Sequence, residues 1–153
     1  MKAVLISMQP PHTNNIFDGI KGIEWRTKPL PTGKHYCYET KKCFGHGKVI
    51  GQYHVWRVKK YENISLIPED FIALGCVPIE FLEAYSHGRP LYAHFIISPQ
   101  RYDNPIELSE FQQCHKCKHN CVRTPQNVEL CKYHRLTRPP QSWCYVEEVD
   151  KCV

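Results

Sequence analysis

The run GKVIGQYHVWRVKKYE, residues 47–62, is the feature that most limits how this chain can fold. Apolar and polar side chains alternate along much of it, which is the period of a β-strand with one buried face. A strand of this length needs partner strands along its whole length, so a multistranded sheet is expected. Gly51 lies inside the run, and a glycine within a strand pattern indicates a bulge or a sharp bend. The sequence therefore predicts a curled sheet.

The remaining elements are short, and their order indicates the fold class. PPHTNNIFDGI predicts a helix of about two turns that starts at Pro11 and ends before Gly19, since proline favours the first helical position and glycine ends helices. PEDFIALG and PIEFLEAYSHG predict two more short helices by the same signals. The other predicted strands are residues 2–7, GIEWRTK, residues 35–40, LYAHFIIS and SWCYVEEV, while the proline-containing PQRYDNPIELSEF and RLTRPPQ are predicted loops. This order predicts an α+β fold with one mixed sheet and flanking helices.

The composition is that of one soluble domain spanning residues 1–153. A chain of 153 residues can bury about two thirds of its unfolded surface. Hydrophobic residues make up 42% and charged residues 23% of the chain, which is ordinary for a globular protein. The apolar run AVLI near the N-terminus is too short for a signal peptide or a membrane span. We therefore expect a cytoplasmic monomer without a membrane partner.

Nine cysteines, an odd number, argue against a fully paired disulfide framework and for metal ligation or simple burial. Cys114-x2-Cys117 and Cys131-x2-His134 form two pairs of equal spacing, which predicts a tetrahedral structural Zn²⁺ site within a cysteine-rich insertion, residues 112–135, before the last strand. Cys121 competes for the place of the fourth ligand. An iron–sulfur cluster and unligated cysteines are the alternatives.

The excess positive charge lies in the same part of the chain. The net charge is +5, and residues 114–138 contain six lysines and arginines but only one glutamate. Such a local basic segment indicates contact with a nucleic acid. The alternative is that these cations balance the negative charge of metal-bound thiolates.

The stretch GIKGIEWR, residues 19–26, places Lys21, Glu24 and Arg26 close together. In a nucleotide cleft, Lys21 and Arg26 would meet phosphate or carbonyl oxygens, and Glu24 would accept a hydrogen bond from an exocyclic amine such as that of cytosine. Tyr36 and Tyr38 share a strand face and are the predicted stacking surface for a base. The alternative is an exposed ion pair of little consequence on a strand edge.

The GxKxxExR stretch, together with YCYETK, GKVIG and RPPQSWCYVEE, resembles the ASCH domain of the PUA-like superfamily, especially its small phage-type members. The resemblance covers residues 1–111 and 136–149, so the cysteine-rich segment lies outside it. It implies an open mixed β-barrel with a cleft between the first helix and the barrel, floored by this motif. PUA-like relatives use such clefts to bind RNA or a flipped-out base, so we expect this chain to bind RNA, or a modified nucleotide.

The resemblance also implies an alternative, since some ASCH proteins are amidohydrolases that act on acylated nucleosides such as N4-acetylcytidine. In that case Lys21 would be the base or nucleophile, together with Glu24 and assisted by Glu80 or Glu83. Those hydrolases carry threonine where this chain has Glu24, and a carboxylate there favours the ammonium form of Lys21. We therefore expect negligible hydrolysis. A third alternative is a protein–protein adaptor that uses the insertion as its contact surface.

Overall fold

The computed structural model describes residues 1–113 and 135–149. The predicted zinc ligands Cys114, Cys117, Cys131 and His134, and the competing Cys121, lie outside the described residues. The zinc site and nearly all of the insertion therefore stay predictions from the sequence.

The described residues form six strands and three α-helices, in an order close to the predicted one. The strands are β1 (Lys2–Met8), β2 (Ile23–Arg26), β3 (Gly33–Glu39), β4 (Lys48–Tyr61), β5 (Leu91–Ile106) and β6 (Trp143–Glu147), and the helices are α1 (His12–Phe17), α2 (Glu69–Leu74) and α3 (Ile79–Ser86). No helix in this part of the chain has the length and apolar character that crossing a membrane requires.

All six strands belong to one mixed sheet in the order β2-β5-β4-β3-β1-β6. The β1–β3 pair is parallel, and the other neighbours are antiparallel. The two edge strands nevertheless approach each other, because Arg26 Nη1 at the end of β2 lies 3.5 Å from Ser142 Oγ just before β6. Six strands in a flat sheet would separate these edges by about 24 Å. The predicted α+β fold with a curled mixed sheet is confirmed, and the sheet is not closed.

The curl comes from bulges in the longest strands. The pairing of β4 with β5 shifts register at three places, one of them between Val49 and Gly51. A Cβ at Gly51 would lie 2.5 Å from the Gln100 carbonyl oxygen and 2.6 Å from the Phe17 ring. Gly51 therefore lets α1 lie directly against the bent sheet, and the predicted irregularity at this glycine is confirmed.

The predicted loop PQRYDNPIELSEF is wrong over its first part, because β5 continues to Ile106. Proline cannot donate a hydrogen bond to a neighbouring strand, so its presence argued against a strand. In the structure Pro99 and Pro105 both lie where the β4–β5 register shifts. A bulge tolerates proline, which is why the strand passes through both positions.

Two of the core clusters position the helices around β2. Ile16 of α1 packs with Ile6 of β1 and with Tyr53 of β4. Leu82 of α3 packs with Ile23 and with other residues of β2 and β5. The apolar side of β2 thus anchors α3, while α1 lies against the centre of the sheet, and a cleft remains between the two helices.

Candidate functional site

A cavity of about 640 Å³ lies between α1, α3 and β2. Its walls come from the end of β1 and the start of α1, from Lys21 and β2, from Thr40 and Lys42 after β3, and from the residues that lead into and form α3. A volume of this size is typical of small-molecule sites. The cleft is thus where the GxKxxExR resemblance implies it.

Lys21, Glu24 and Arg26 form a charged floor for this cleft. Glu24 lies between the two cations: its Oε2 is 3.3 Å from Lys21 Nζ, and its Oε1 is 2.9 Å from Arg26 Nε. The side chains are largely buried, with exposed fractions of 1% for Lys21, 12% for Glu24 and 17% for Arg26. The alternative of an exposed ion pair on a strand edge is therefore wrong.

Local structure explains how a lysine comes to be buried here. Gly19 ends α1 with a positive φ of 75°, and the Lys21 backbone N–H donates to the Asn15 carbonyl oxygen at 2.8 Å. The Lys21 ammonium then donates to the Gly75 carbonyl oxygen after α2, at 2.5 Å. Lys21 is thus fixed by α1, by α2 and by Glu24.

Electrostatic interactions within the floor keep Glu24 and Arg26 charged although both are largely buried. Burial alone would raise the pKa of Glu24, but Lys21 and Arg26 outweigh it and hold this pKa below its usual value. Burial would likewise lower the pKa of Arg26, and Glu24 raises it above its usual value. Burial and the charge of Lys21 lower the pKa of the neighbouring His12, which is therefore neutral at pH 7. The floor carries one net positive charge, which suits a ligand with anionic or carbonyl oxygens.

A buried histidine that the sequence analysis did not single out holds the backbone of the floor in place. His94 of β5 accepts a hydrogen bond at Nε2 from the Leu30 N–H (2.8 Å), so Nδ1 carries the proton and donates to the Glu24 carbonyl oxygen (3.0 Å). Burial lowers the pKa of His94 and keeps it neutral. No local pattern in LYAHFIIS marks this role, because both partners are distant in sequence.

The aromatic residues beside the cleft are not the predicted ones. Tyr36 and Tyr38 do share a face of β3, but that face is buried in a core cluster with Phe111, and neither ring lines the cleft. The prediction that they stack on a base is wrong in this structure. Phe81 and Tyr85 of α3 do line the cleft and are 69% and 43% exposed. Their i, i+4 spacing places them on one side of the helix and is the signal that could have identified this aromatic wall.

Neither carboxylate of α3 that was considered as an assistant to Lys21 reaches the cleft. Glu80 and Glu83 are exposed and lie outside its lining. Among the described residues that line the cleft, Glu24 is the one carboxylate. The alternative in which Glu80 or Glu83 assists Lys21 therefore has no support in this geometry.

Two cleft-lining residues each contain a polar atom that is shielded from solvent and has no partner among the described residues. These atoms are Trp25 Nε1 and His12 Nδ1. A Cβ added to Gly75 would lie 2.2 Å from Trp25 Nε1, so the indole packs directly against this glycine.

The described residues contain no group of three or more histidine, cysteine, aspartate or glutamate side chains placed to hold a metal ion.

No protein-family model and no curated protein matches the sequence. Solved structures do match the fold. The structure of ASCH from Zymomonas mobilis has a TM-score of 0.68 and 19% sequence identity, over 95% of this chain and 88% of that chain. Its variant with a tyrosine replaced by phenylalanine gives a TM-score of 0.69 over 97% and 92% of the two chains, also at 19% identity. A serine-to-alanine variant gives 0.68 over 95% and 89% at the same identity. The resemblance seen in the sequence is confirmed at the level of structure, and the chain has the fold of the ASCH domain.

Proposed function

We propose that the cleft binds one nucleotide of an RNA, with the base held between the charged floor and the aromatic wall. The observation that carries the proposal is the buried Lys21–Glu24–Arg26 floor, which lines one cavity together with exposed aromatic rings. Burial of charges is costly unless each is paired, and the pairing here leaves unused hydrogen-bonding capacity on the cleft side.

The chemistry of the floor matches the edge of a base. Each Glu24 oxygen has two lone pairs and uses one on a cation, so the carboxylate can still accept from an exocyclic amine. Arg26 can donate to a base carbonyl or to phosphate. A site of this kind discriminates against analogues that leave its buried polar groups unpaired.

The aromatic wall supplies the stacking part of the affinity. Stacking of a base on an aromatic side chain contributes about 1–3 kcal/mol. A base that enters such a cleft must leave its own stack, as in enzymes and readers that flip nucleotides out. Phe81 and Tyr85 would replace the lost base–base contact.

RNA is the favoured source of the nucleotide because of the rest of the chain. The net charge of residues 114–138 equals the +5 of the whole chain, and cations there would neutralise backbone phosphates. The PUA-like resemblance also implies RNA binding. Affinity for RNA should accordingly fall as salt increases, and affinity for a nucleoside should change little.

Calorimetric titration with the four nucleoside 5′-monophosphates tests the proposal. We expect saturable binding of at least one, a loss of roughly 5- to 150-fold in Phe81→Ala, and a loss in Lys21→Ala. Leu66→Ala removes an apolar side chain of similar exposure outside the cleft, 58% against 69% for Phe81, and is the matched control. Equal affinities for wild type and Phe81→Ala would refute the stacking role.

The amidohydrolase alternative concerns the same cleft. It can be tested with the same wild-type protein and Lys21→Ala variant. Lys21 Nζ already donates to the Gly75 carbonyl and faces the Glu24 carboxylate, an arrangement that holds a ligand rather than attacks one. We expect negligible turnover of N4-acetylcytidine when the products are measured by chromatography. Turnover that is abolished by Lys21→Ala would overturn the binding proposal in favour of hydrolysis.

A further inference from the structure

The loop between β3 and β4, residues 40–47, borders the cleft and carries an aromatic side chain in full contact with solvent. Thr40 and Lys42 of this rim loop line the cleft. Phe44, two residues further on, is completely exposed. Lys41 and Lys42 precede it and are exposed as well. The rim loop thus presents a ring and two cations beside the cleft.

Hydrogen bonds and close packing hold the rim loop in shape. The buried carboxylate of Glu39 accepts from the His46 backbone N–H at 3.0 Å and pairs with the His46 ring, and the Gly47 N–H donates to the Glu39 carbonyl oxygen at 3.0 Å. Gly45 leaves no room for a side chain, since a Cβ would lie 1.8 Å from the Thr40 carbonyl oxygen. Phe44 is therefore presented by a well-defined turn.

The conformation at the tip of the rim loop is unfavourable for the residues that adopt it. Cys43 and Phe44 have φ angles of 52° and 63°, in the left-handed region that bulky residues rarely occupy. The Phe44 ring also remains in water, where an apolar group is least stable. Strain of this kind concentrates at functional sites. A role for the ring in binding would account for both costs.

We propose that Phe44 stacks on the nucleobase adjacent to the one held in the cleft, a proposal that rests on the proposed function. A base that is turned into the cleft leaves its neighbour with one open face, and an aromatic ring at the rim can cover that face. Lys41 and Lys42 of the same exposed loop supply cations for the backbone phosphates of that neighbour. This combination of aromatic and basic side chains favours a single-stranded nucleic acid over an apolar partner.

The test compares a nucleoside monophosphate, which reaches only the cleft, with a single-stranded RNA of about seven nucleotides. Phe44→Ala should weaken RNA binding roughly 5- to 150-fold and leave monophosphate binding unchanged. Phe44→Trp should retain RNA affinity, and Phe44→Leu should behave like Phe44→Ala because it lacks a flat face. Trp56→Ala removes another exposed aromatic residue that does not line the cleft and is the control.

A fluorescent 2-aminopurine placed next to the target nucleotide reports stacking directly, and its emission should rise in Phe44→Ala relative to wild type. RNA affinity that is unchanged in Phe44→Ala, or retained in Phe44→Leu, would overturn the proposal. Loss of monophosphate binding in Phe44→Ala would do so too, since Phe44 would then belong to the cleft. Phe44-dependent binding to phosphatidylserine vesicles, with RNA affinity unaffected, would indicate a membrane contact instead. If RNA binds in a Phe44-dependent way and no monophosphate binds, the cleft proposal fails and stacking by Phe44 is supported.

Discussion

Replacing Glu24 with glutamine removes the charge that pairs with both cations of the floor and keeps the size of the side chain. Lys21, whose side chain is 1% exposed, would then retain the Gly75 carbonyl as a partner but lose its counter-charge. Removing one partner from a buried ion pair typically costs about 3–5 kcal/mol, because the other charge stays buried. For a domain of this size that corresponds to a fall in Tm of roughly 6–20 °C.

Denaturant unfolding at pH 7 measures this cost, with Glu80→Gln as the control, because Glu80 is an exposed carboxylate on α3. Glu80 lies in the first turn of α3, so Glu80→Gln should lower the free energy of unfolding by at most about 1 kcal/mol. In the double variant Lys21→Met/Glu24→Gln the buried lysine is gone as well. Its loss of stability should be clearly smaller than the sum of the two single losses.

The effect should also depend on pH in a defined direction. The pKa of Glu24 is lower in the folded chain than in the unfolded chain, so its contribution to stability is present above the ordinary pKa of 4.5 and is lost as the pH falls through the folded value. The stability gap between wild type and Glu24→Gln should therefore narrow below pH 4.5. A Glu24→Gln variant as stable as Glu80→Gln at pH 7 would refute the view of the floor as a coupled buried cluster.

Three further predictions follow from other parts of the chain. Burial lowers the pKa of His35 to about 4, so NMR should show a neutral ring above about pH 5. Protonation of His35 in the unfolded chain should lower the free energy of unfolding by about 3 kcal/mol between pH 6.5 and 4. Titration of His35 near pH 6.5 would contradict this prediction. Gly75→Ala places a Cβ 2.2 Å from Trp25 Nε1 and should cost about 1–3 kcal/mol in thermal unfolding; Gly22→Ala, which meets only an ordinary contact at 3.5 Å, is the control, and equal losses would argue against the close packing. Protein purified without chelator should hold one zinc per chain by elemental analysis, and Cys114→Ser should lose it while the exposed Cys43→Ser keeps it; a zinc-free wild type would refute the site.

The parts of the fold that could be predicted are those encoded by local patterns. The alternation in Ile23–Arg26 gave β2 its buried and polar sides, and Gly51 marked the bend in β4. β5 was predicted too short because the prolines at 99 and 105 are tolerated only through bulges against β4. That tolerance depends on a partner strand and cannot be read from the prolines alone.

The site was half predictable for the same reason. The motif identified Lys21, Glu24 and Arg26. No local sequence pattern indicates that the Gly75 carbonyl, 54 residues away, accepts a hydrogen bond from the buried Lys21 ammonium. The period of two correctly placed Tyr36 and Tyr38 on one face of β3. It could not tell which face meets the cleft, because both faces of this central strand are buried.

The indole region of a ¹H–¹⁵N correlation spectrum tests the central claim most directly, since the chain has only three tryptophans and Trp25 alone lines the described cleft. Trp56→Phe and Trp143→Phe assign the three N–H signals, and the other two tryptophans then serve as internal controls. Titration with each nucleoside monophosphate should shift the Trp25 signal, saturably and more than the other two, for at least one base. Signals that stay in place with all four, or that move only for Trp56 or Trp143, would contradict nucleotide binding in this cleft.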